Sequence, residues 1–301
     1  MRRGFAAAVL ALVLFAAASA QAQDLKKIAE NVYAYEGAKT ATPQNSYAAN
    51  VGVVVGRDGV IVIDALISAK EGKRLLRDIR KITDKPVRYV VLTHAHLDHA
   101  LGASVFTDAG ALLVSHELER AYLERKGQGM LDKAAEFGLS KEDMAGTKIA
   151  LPAITFTERL TLRLGGETVE LIHQLPSHST GSTLVLLPRQ KVLFTGDVLF
   201  TDFHPFLGEG DIPAWSKTLD AIQAMDLNVI VPGHGPLSTQ KDVAAMKDYI
   251  LLFDAKAREL AAQGLAPKDM AAQLKALLPS RALAENMILY SLVIKYLPAS
   301  K

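Results

Sequence analysis

The stretch Thr93-His94-Ala95-His96-Leu97-Asp98-His99 places four side chains of metal-ligand type within six positions. His94 and His96 are two apart, so in extended backbone their imidazoles point the same way. Asp98 and His99 open a segment, His99 to Phe106, that reads as helical. Adjacent residues at a helix start diverge by roughly 100°, so this second pair cannot easily share a ligand sphere with both earlier histidines. Ligands aimed in two directions imply two metals close together. The chain has only eight histidines in 301 residues, which makes a chance grouping of three here improbable.

Such a loop needs a rigid support. Val87 to Leu92 is a β-branched and apolar run, read as a buried strand that delivers His94 at its C-terminal end. Upstream, Tyr47 to Val55 reads as a strand, Gly56-Arg57-Asp58-Gly59 as a turn, and Val60 to Asp64 as the returning strand. Asp64 ends that strand and is expected to brace a neighbouring loop. Ser68 to Ile82 carries Leu75, Leu76, Ile79 and Ile82 at helical spacing. Ala111 to Val114 reads as a strand, with Ser115 capping a helix that runs to about Lys126.

A second half begins near Ile149. Ile154 to Leu164 and Thr168 to His173 are expected strands, followed by a loop around His178 and a strand over Thr183 to Leu187. Val192 to Asp197 reads as a strand ending in a carboxylate. Asp211 is expected to cap a helix with Trp215, Leu219 and Ile222 on one face. Asn228 to Val231 is the last strand, closed by Pro232-Gly233-His234-Gly235-Pro236, and the chain from Asp242 onward is helical, ending in an amphipathic stretch, Met287 to Leu297. Metal-type ligands at strand ends in both halves describe a cleft between two packed sheets.

Composition narrows the class. Half the residues are hydrophobic, enough for a substantial core. Met1-Arg2-Arg3, the apolar run Phe5 to Ala18 and the small residues Ala18 to Ala22 predict a secretory signal, residues 1–22, cleaved after Ala20 or Ala22. No cysteine follows the run, so no lipid anchor is expected, and a periplasmic or secreted location follows. Removing Arg2 and Arg3 brings the 34 basic side chains level with the 32 acidic ones, so no electrostatic footprint for nucleic acid or anionic lipid is expected. A chain without cysteine must also build any zinc site from imidazole and carboxylate.

His94, His96, His99, His178 and His234, with Asp98 and Asp197, together resemble the metallo-β-lactamase superfamily from about Asn31 to Pro236. The family's H-x-H-x-D-H stands as His94 to His99. Its following histidine matches Pro176-Ser177-His178-Ser179, its bridging aspartate Thr195-Gly196-Asp197, and its last histidine Pro232-Gly233-His234-Gly235. Ser177 replaces a common glycine, which affects loop conformation more than ligation.

The resemblance implies an αβ/βα four-layer sandwich over 24–241, with 242–301 as helices packing on the same domain. It implies two zinc ions, with iron or manganese as substitutes: His94, His96 and His178 hold the first, Asp98, His99 and His234 the second, and Asp197 bridges them. It further implies a hydrolase in which a metal-bound hydroxide, formed between ions about 3.5–4 Å apart, cleaves a small ester, thioester, lactone or lactam. Asp98 is the expected catalytic residue, orienting the hydroxide and relaying a proton.

Lactamases that bind zinc through cysteine are excluded. The bridging Asp197 makes the chain more similar to the glyoxalase II branch and to exported hydrolases associated with quinoprotein or sulfur-oxidation systems. His96, where flavodiiron proteins carry glutamate, argues against that redox branch. Two other readings are an iron-dependent sulfur dioxygenase, disfavoured by intact second-site ligands, and an accessory protein without strong turnover. The partner is a small-molecule substrate, shaped by rim loops at 38–46, 127–147 and 200–210. Oligomeric state is left open. His204 is a candidate substrate contact or a plain loop residue. His116 and His173 are expected to be structural, and Trp215 to be core.

Overall fold

The computed structural model describes residues 24–297. The expected signal segment, 1–22, lies outside the described residues. Alternating and continuous apolar runs build a first sheet of seven strands in chain order: β1 (Lys26–Ala29), β2 (Val32–Tyr35), β3 (Val51–Val55), β4 (Val60–Ile63), β5 (Val87–Val91), β6 (Leu112–His116) and β7 (Ile154–Phe156). Pairing is antiparallel from β1 to β4 and parallel from β4 to β7. A second sheet contains β8 (Arg159–Leu164), β9 (Glu167–Ile172), β10 (Leu184–Leu187), β11 (Val192–Phe200) and β12 (Val229–His234), in the order β12-β11-β10-β9-β8. Only β11 and β12 run parallel there.

The two sheets face each other across a dry layer of Val54, Ile61, Ile63 and Val91 from one and Leu171, Val185, Phe194 and Val231 from the other. Outside the first sheet lie α1 (Ala69–Ile82), α2 (Leu97–Ala100), α3 (Ser104–Thr107) and α4 (Glu117–Asp132). Outside the second lie α5 (Ile212–Gln223), α6 (Gln240–Ala262), α7 (Pro267–Leu277) and α8 (Asn286–Ser291). This is the expected αβ/βα sandwich. The C-terminal helices share the second sheet's core: Tyr249 and Phe253 of α6, Leu274 of α7 and Ile288 of α8 join Leu193, Leu199 and Trp215 in one buried cluster.

Local chemistry sets the helix starts. Ser68 accepts the Glu71 N–H at the head of α1, and Asp211 accepts the Ala214 N–H at the head of α5, each cap contributing about 1 kcal/mol. The expected Ser115 cap is corrected. β6 continues through His116, whose Nδ1 accepts the Leu118 N–H, while the Ser115 hydroxyl donates to the His116 carbonyl. The expected strand Ile154 to Leu164 is broken at Thr157-Glu158. Its first part pairs with β6 and its second with β9, so one apolar run feeds both sheets. Tyr47 and Ala48 lie outside β3, in a left-handed run with Ser46 (φ 55°, 50° and 65° for residues 46–48). The helical reading after Asp98 resolves into α2, a 3-10 turn at Leu101–Ala103 and α3.

Candidate metal centre

The seven expected ligands converge at one end of the sandwich. His94 and His96 follow β5, Asp98 and His99 sit on α2, His178 lies between β9 and β10, Asp197 on β11 and His234 at the end of β12. Their donor atoms fall into two groups, His94, His96, His178 and Asp197 in one and Asp98, His99 and His234 in the other, with atoms inside each group within 4.8 Å of one another. Asp197 spans them. Its Oδ2 lies 3.3 Å from His178 Nε2 and 3.7 Å from His94 Nε2, and its Oδ1 lies 3.1 Å from His99 Nε2 and 3.4 Å from His234 Nε2. Asp98 Oδ2 is 3.3 Å from His234 Nε2.

The outer nitrogen of each imidazole is engaged, which settles which nitrogen faces inward. The Thr93 hydroxyl donates to Asp64 Oδ2 (2.8 Å), so its oxygen accepts from His94 Nδ1 (3.1 Å). His99 Nδ1 donates to Asp64 Oδ2 (2.9 Å), His178 Nδ1 to the Phe206 carbonyl (3.1 Å), and His234 Nδ1 to the Tyr47 carbonyl (3.0 Å). His96 is turned the other way: its Nε2 meets Glu209 Oε2 at 3.0 Å, leaving Nδ1 inside. Inner lone pairs therefore converge. His96 Nδ1 and His178 Nε2 stand 2.9 Å apart, and two acceptors at that distance need a cation or a proton between them. His94 Nε2 and Asp197 Oδ1 are buried and complete no hydrogen bond. Buried polar groups are rarely left so, and the orphaned atoms belong to a nitrogen and oxygen donor set that metal ions accept. The residues fit metal ions.

Without an ion, the electrostatics divide the rings into two pairs. Burial opposes charge on every ring. At His94 and His178 it prevails, with neighbouring histidines adding to it, and His178 is pushed down to about 3. At His99 and His234 the carboxylates of Asp197 and Asp98 outweigh burial, and His234 rises to about 9. Burial would raise Asp197 and Asp98, but the surrounding imidazoles hold both below the usual carboxylate range. Without an ion, His99 and His234 thus hold protons against carboxylates that stay ionised, a positive charge that a metal ion would replace.

Several supporting groups were not legible in the sequence. Glu119, near the start of α4, reads as an ordinary helix charge but is buried. Its carboxylate accepts the Ala95 N–H, the Ser179 hydroxyl and the Gly181 N–H, each at 2.8 Å, and so ties the His94–His96 loop to the His178 loop. Glu209, Thr93 and the carbonyls of Tyr47 and Phe206 carried no sequence signal either. Asp64 does brace a loop, through the Thr93 N–H and hydroxyl. Ser177 anchors the ligand loop to α5 by a 3.0 Å bond to the Thr218 hydroxyl.

His204 is not brought to this centre. It is buried, and its Nδ1 meets the Tyr249 hydroxyl at 2.7 Å beneath the C-terminal helices. His116 donates from Nε2 to the Thr157 carbonyl and packs its ring against His173, which reaches the Ser182 carbonyl. Trp215 is core, with Nε1 donating to the Val198 carbonyl. Of the expected rim loops, 200–210 meets the centre, with Phe206 5.9 Å from His96, ring centre to ring centre, and Glu209 bonded to His96; 127–147 is linked to it only through Tyr47, a residue just beyond 38–46 whose hydroxyl donates to the Phe137 carbonyl and whose own carbonyl bonds His234.

Comparison with known proteins agrees with this geometry. The family model "Metallo-beta-lactamase superfamily" matches residues 46–234. The chain belongs to the metallo-β-lactamase superfamily. Members of that superfamily are metal-dependent hydrolases. A linear primary-alkylsulfatase from a Pseudomonas species is 25% identical over 72% of this chain and 48% of its own length. The alpha subunit of a 2,4-dinitroanisole O-demethylase from a Nocardioides species is 28% identical over 60% of this chain and 51% of its own. The chain thus spans about half the length of these two curated relatives. Among solved structures, a metallo-β-lactamase from Pontibacter korlensis superposes with a TM-score of 0.63 at 21% identity, covering 76% of this chain and 99% of that one, a likeness of fold.

Proposed function

We propose that this chain is a dinuclear zinc hydrolase that cleaves a small ester, thioester, lactone or lactam, and that it works in the periplasm. The observation that carries the reading is the pair of donor groups meeting on Asp197, with His94 Nε2 and Asp197 Oδ1 buried among the other donors and completing no hydrogen bond. His94, His96 and His178 are assigned to one ion, Asp98, His99 and His234 to the other, and Asp197 to both. The imidazole and carboxylate donors suit zinc, with iron or manganese as substitutes. When bound, such ions supply Lewis-acid polarisation of the substrate oxygen and acidify a water to titrate near neutral pH.

The chain's own residues do the rest. Asp98 orients the attacking water and carries its proton toward the leaving group, with its Oδ2 held at 3.3 Å from His234 Nε2. Asp64, Glu209 and the carbonyls of Tyr47 and Phe206 keep the imidazoles from turning. The rings of Tyr122 and Phe206 stand beside His96 and give that flank of the site an aromatic lining. The periplasmic location is supported by the signal pattern of residues 1–22, and no helix among the described residues is long and apolar enough to cross a membrane.

The test is turnover by zinc-loaded and metal-stripped protein across a β-lactam, a glutathione thioester, an acyl-homoserine lactone, an aryl ester, a phosphodiester and an alkyl sulfate. The expected result is one substrate with kcat/KM above about 10⁴ M⁻¹s⁻¹, lost on stripping. No metal-dependent rate on any of them overturns the reading.

A further inference from the structure

We infer that the substrate carries an extended apolar tail, held along a wall that the C-terminal segment builds beside the metal centre; this rests on the hydrolase reading above. Tyr290, Val293 and Ile294 follow one another at helical spacing, yet are 51%, 48% and 56% exposed, while Ile288 and Leu292 on the opposite side are buried in the core. The segment is therefore amphipathic in both senses: one face holds it to the molecule, and an apolar face is left open.

That open face is continuous with the site. The segment is clamped to the loop after β11 by the Leu207 N–H donating to the Ser291 hydroxyl (2.8 Å) and by Lys295 donating to the Gly210 carbonyl. Ile294 sits against Gly208: a Cβ on that glycine would meet the Phe206 ring at 2.5 Å and the Ile294 Cγ2 at 3.1 Å. Phe206 in turn places its ring 5.9 Å from His96 and 6.1 Å from His178, centre to centre. An apolar path therefore runs from two of the ligands, over Phe206, to Ile294.

Substrate with its reacting group at the cluster and an alkyl or acyl chain over Phe206 would cover this stripe. A second copy of the chain would bury the stripe too, but would have no reason to follow the path to the ligands.

The experiment uses the zinc-loaded full chain and p-nitrophenyl esters from acetate to octanoate. A fully buried methylene contributes about fourfold, and a wall open on one side about twofold, so octanoate is expected to exceed acetate in kcat/KM by roughly fifty-fold. In Ile294→Ser and in Val293→Ser/Ile294→Ser this ratio falls at least about fivefold, while Leu251→Ser, an exposed apolar residue on α6, keeps it. Independently of turnover, octanoate as a bound carboxylate should be held at least about tenfold more tightly than acetate by calorimetry, and the stripe variants should lose that difference.

A flat ester series with good acetate turnover overturns the tail inference and leaves the hydrolase reading standing. Absent turnover with a kept octanoate preference does the reverse. Equal binding of the two carboxylates overturns the inference whatever the turnover. So does a variant that only converts a dimer to a monomer in sedimentation, which would give the stripe to a second copy.

Discussion

Glu119 holds no expected metal ligand directly, yet two ligand loops depend on its carboxylate. Its three short hydrogen bonds come from two backbone N–H groups and a hydroxyl, all buried. Glu119→Gln would turn an amide N–H₂ toward at least one of these donors, at a cost of about 1–3 kcal/mol. The expected outcome is a 10- to 100-fold loss of zinc affinity with the fold retained, read by competition with a chelator. Unchanged affinity would show that the two loops hold themselves. His116 offers a pH test away from the ligands. Burial, and next to it the charge of His173, hold its imidazole below the usual range, while the unfolded chain regains a value near 6.5. The folded value is depressed, so the stability carried by neutral His116 is present above 6.5 and is lost as pH falls below it. Melting of metal-free protein should fall more steeply from pH 7.5 to 5.5 in the wild type than in His116→Gln, by about 2 °C. Parallel curves would contradict this.

At the scale of elements, the ligands are placed by strands whose ends must come very close, and two glycines make that approach feasible. A Cβ on Gly196, which has φ 48°, would meet the Thr93 hydroxyl at 2.3 Å, and one on Gly233 would meet Asp197 Oδ1 at 2.0 Å. The same Cβ would stand 2.7 Å from the Gly196 carbonyl carbon and 2.8 Å from the Asp197 nitrogen, so Gly233→Ala must displace the carboxylate that spans both donor groups or move β12 away from the β11 backbone that carries it. Bound zinc is expected to fall at least about tenfold in affinity, measured by metal analysis after dialysis, while circular dichroism stays that of the wild type. Full zinc retention would mean that Asp197 is free to move.

This is also the scale at which the sequence was partly opaque. The ligand loops were legible because ligation constrains residue type at fixed spacing, as in His94 to His99. The strands β3 to β6 were legible from their apolar runs, within a few residues. The break at Thr157-Glu158 was not, because partner choice between two sheets is a tertiary outcome that the local pattern does not encode. Nor was the left-handed run at Ser46 to Ala48, which aims the Tyr47 carbonyl at His234 against the local preference of non-glycine residues. Glu119 and Glu209 act through loops distant in sequence, 60 residues from Ser179 and 113 from His96, so no spacing rule reveals them.

For the whole molecule, the sandwich is a means of bringing loops from both halves to one end and holding them there. The apolar layer between the sheets fixes β5 against β11, α4 behind the first sheet carries Glu119, and the C-terminal segment behind the second holds the loop of Phe206 and Glu209. The central claim, a centre that takes two ions and hydrolyses substrate when filled, is tested most directly by titrating metal-free full chain with zinc. Bound metal and ester hydrolysis are followed in the same sample. Two zinc ions per chain and a rate that rises with their binding are the expected result. Saturation at one ion or none, or two bound ions with no hydrolysis above metal-stripped protein, would contradict it.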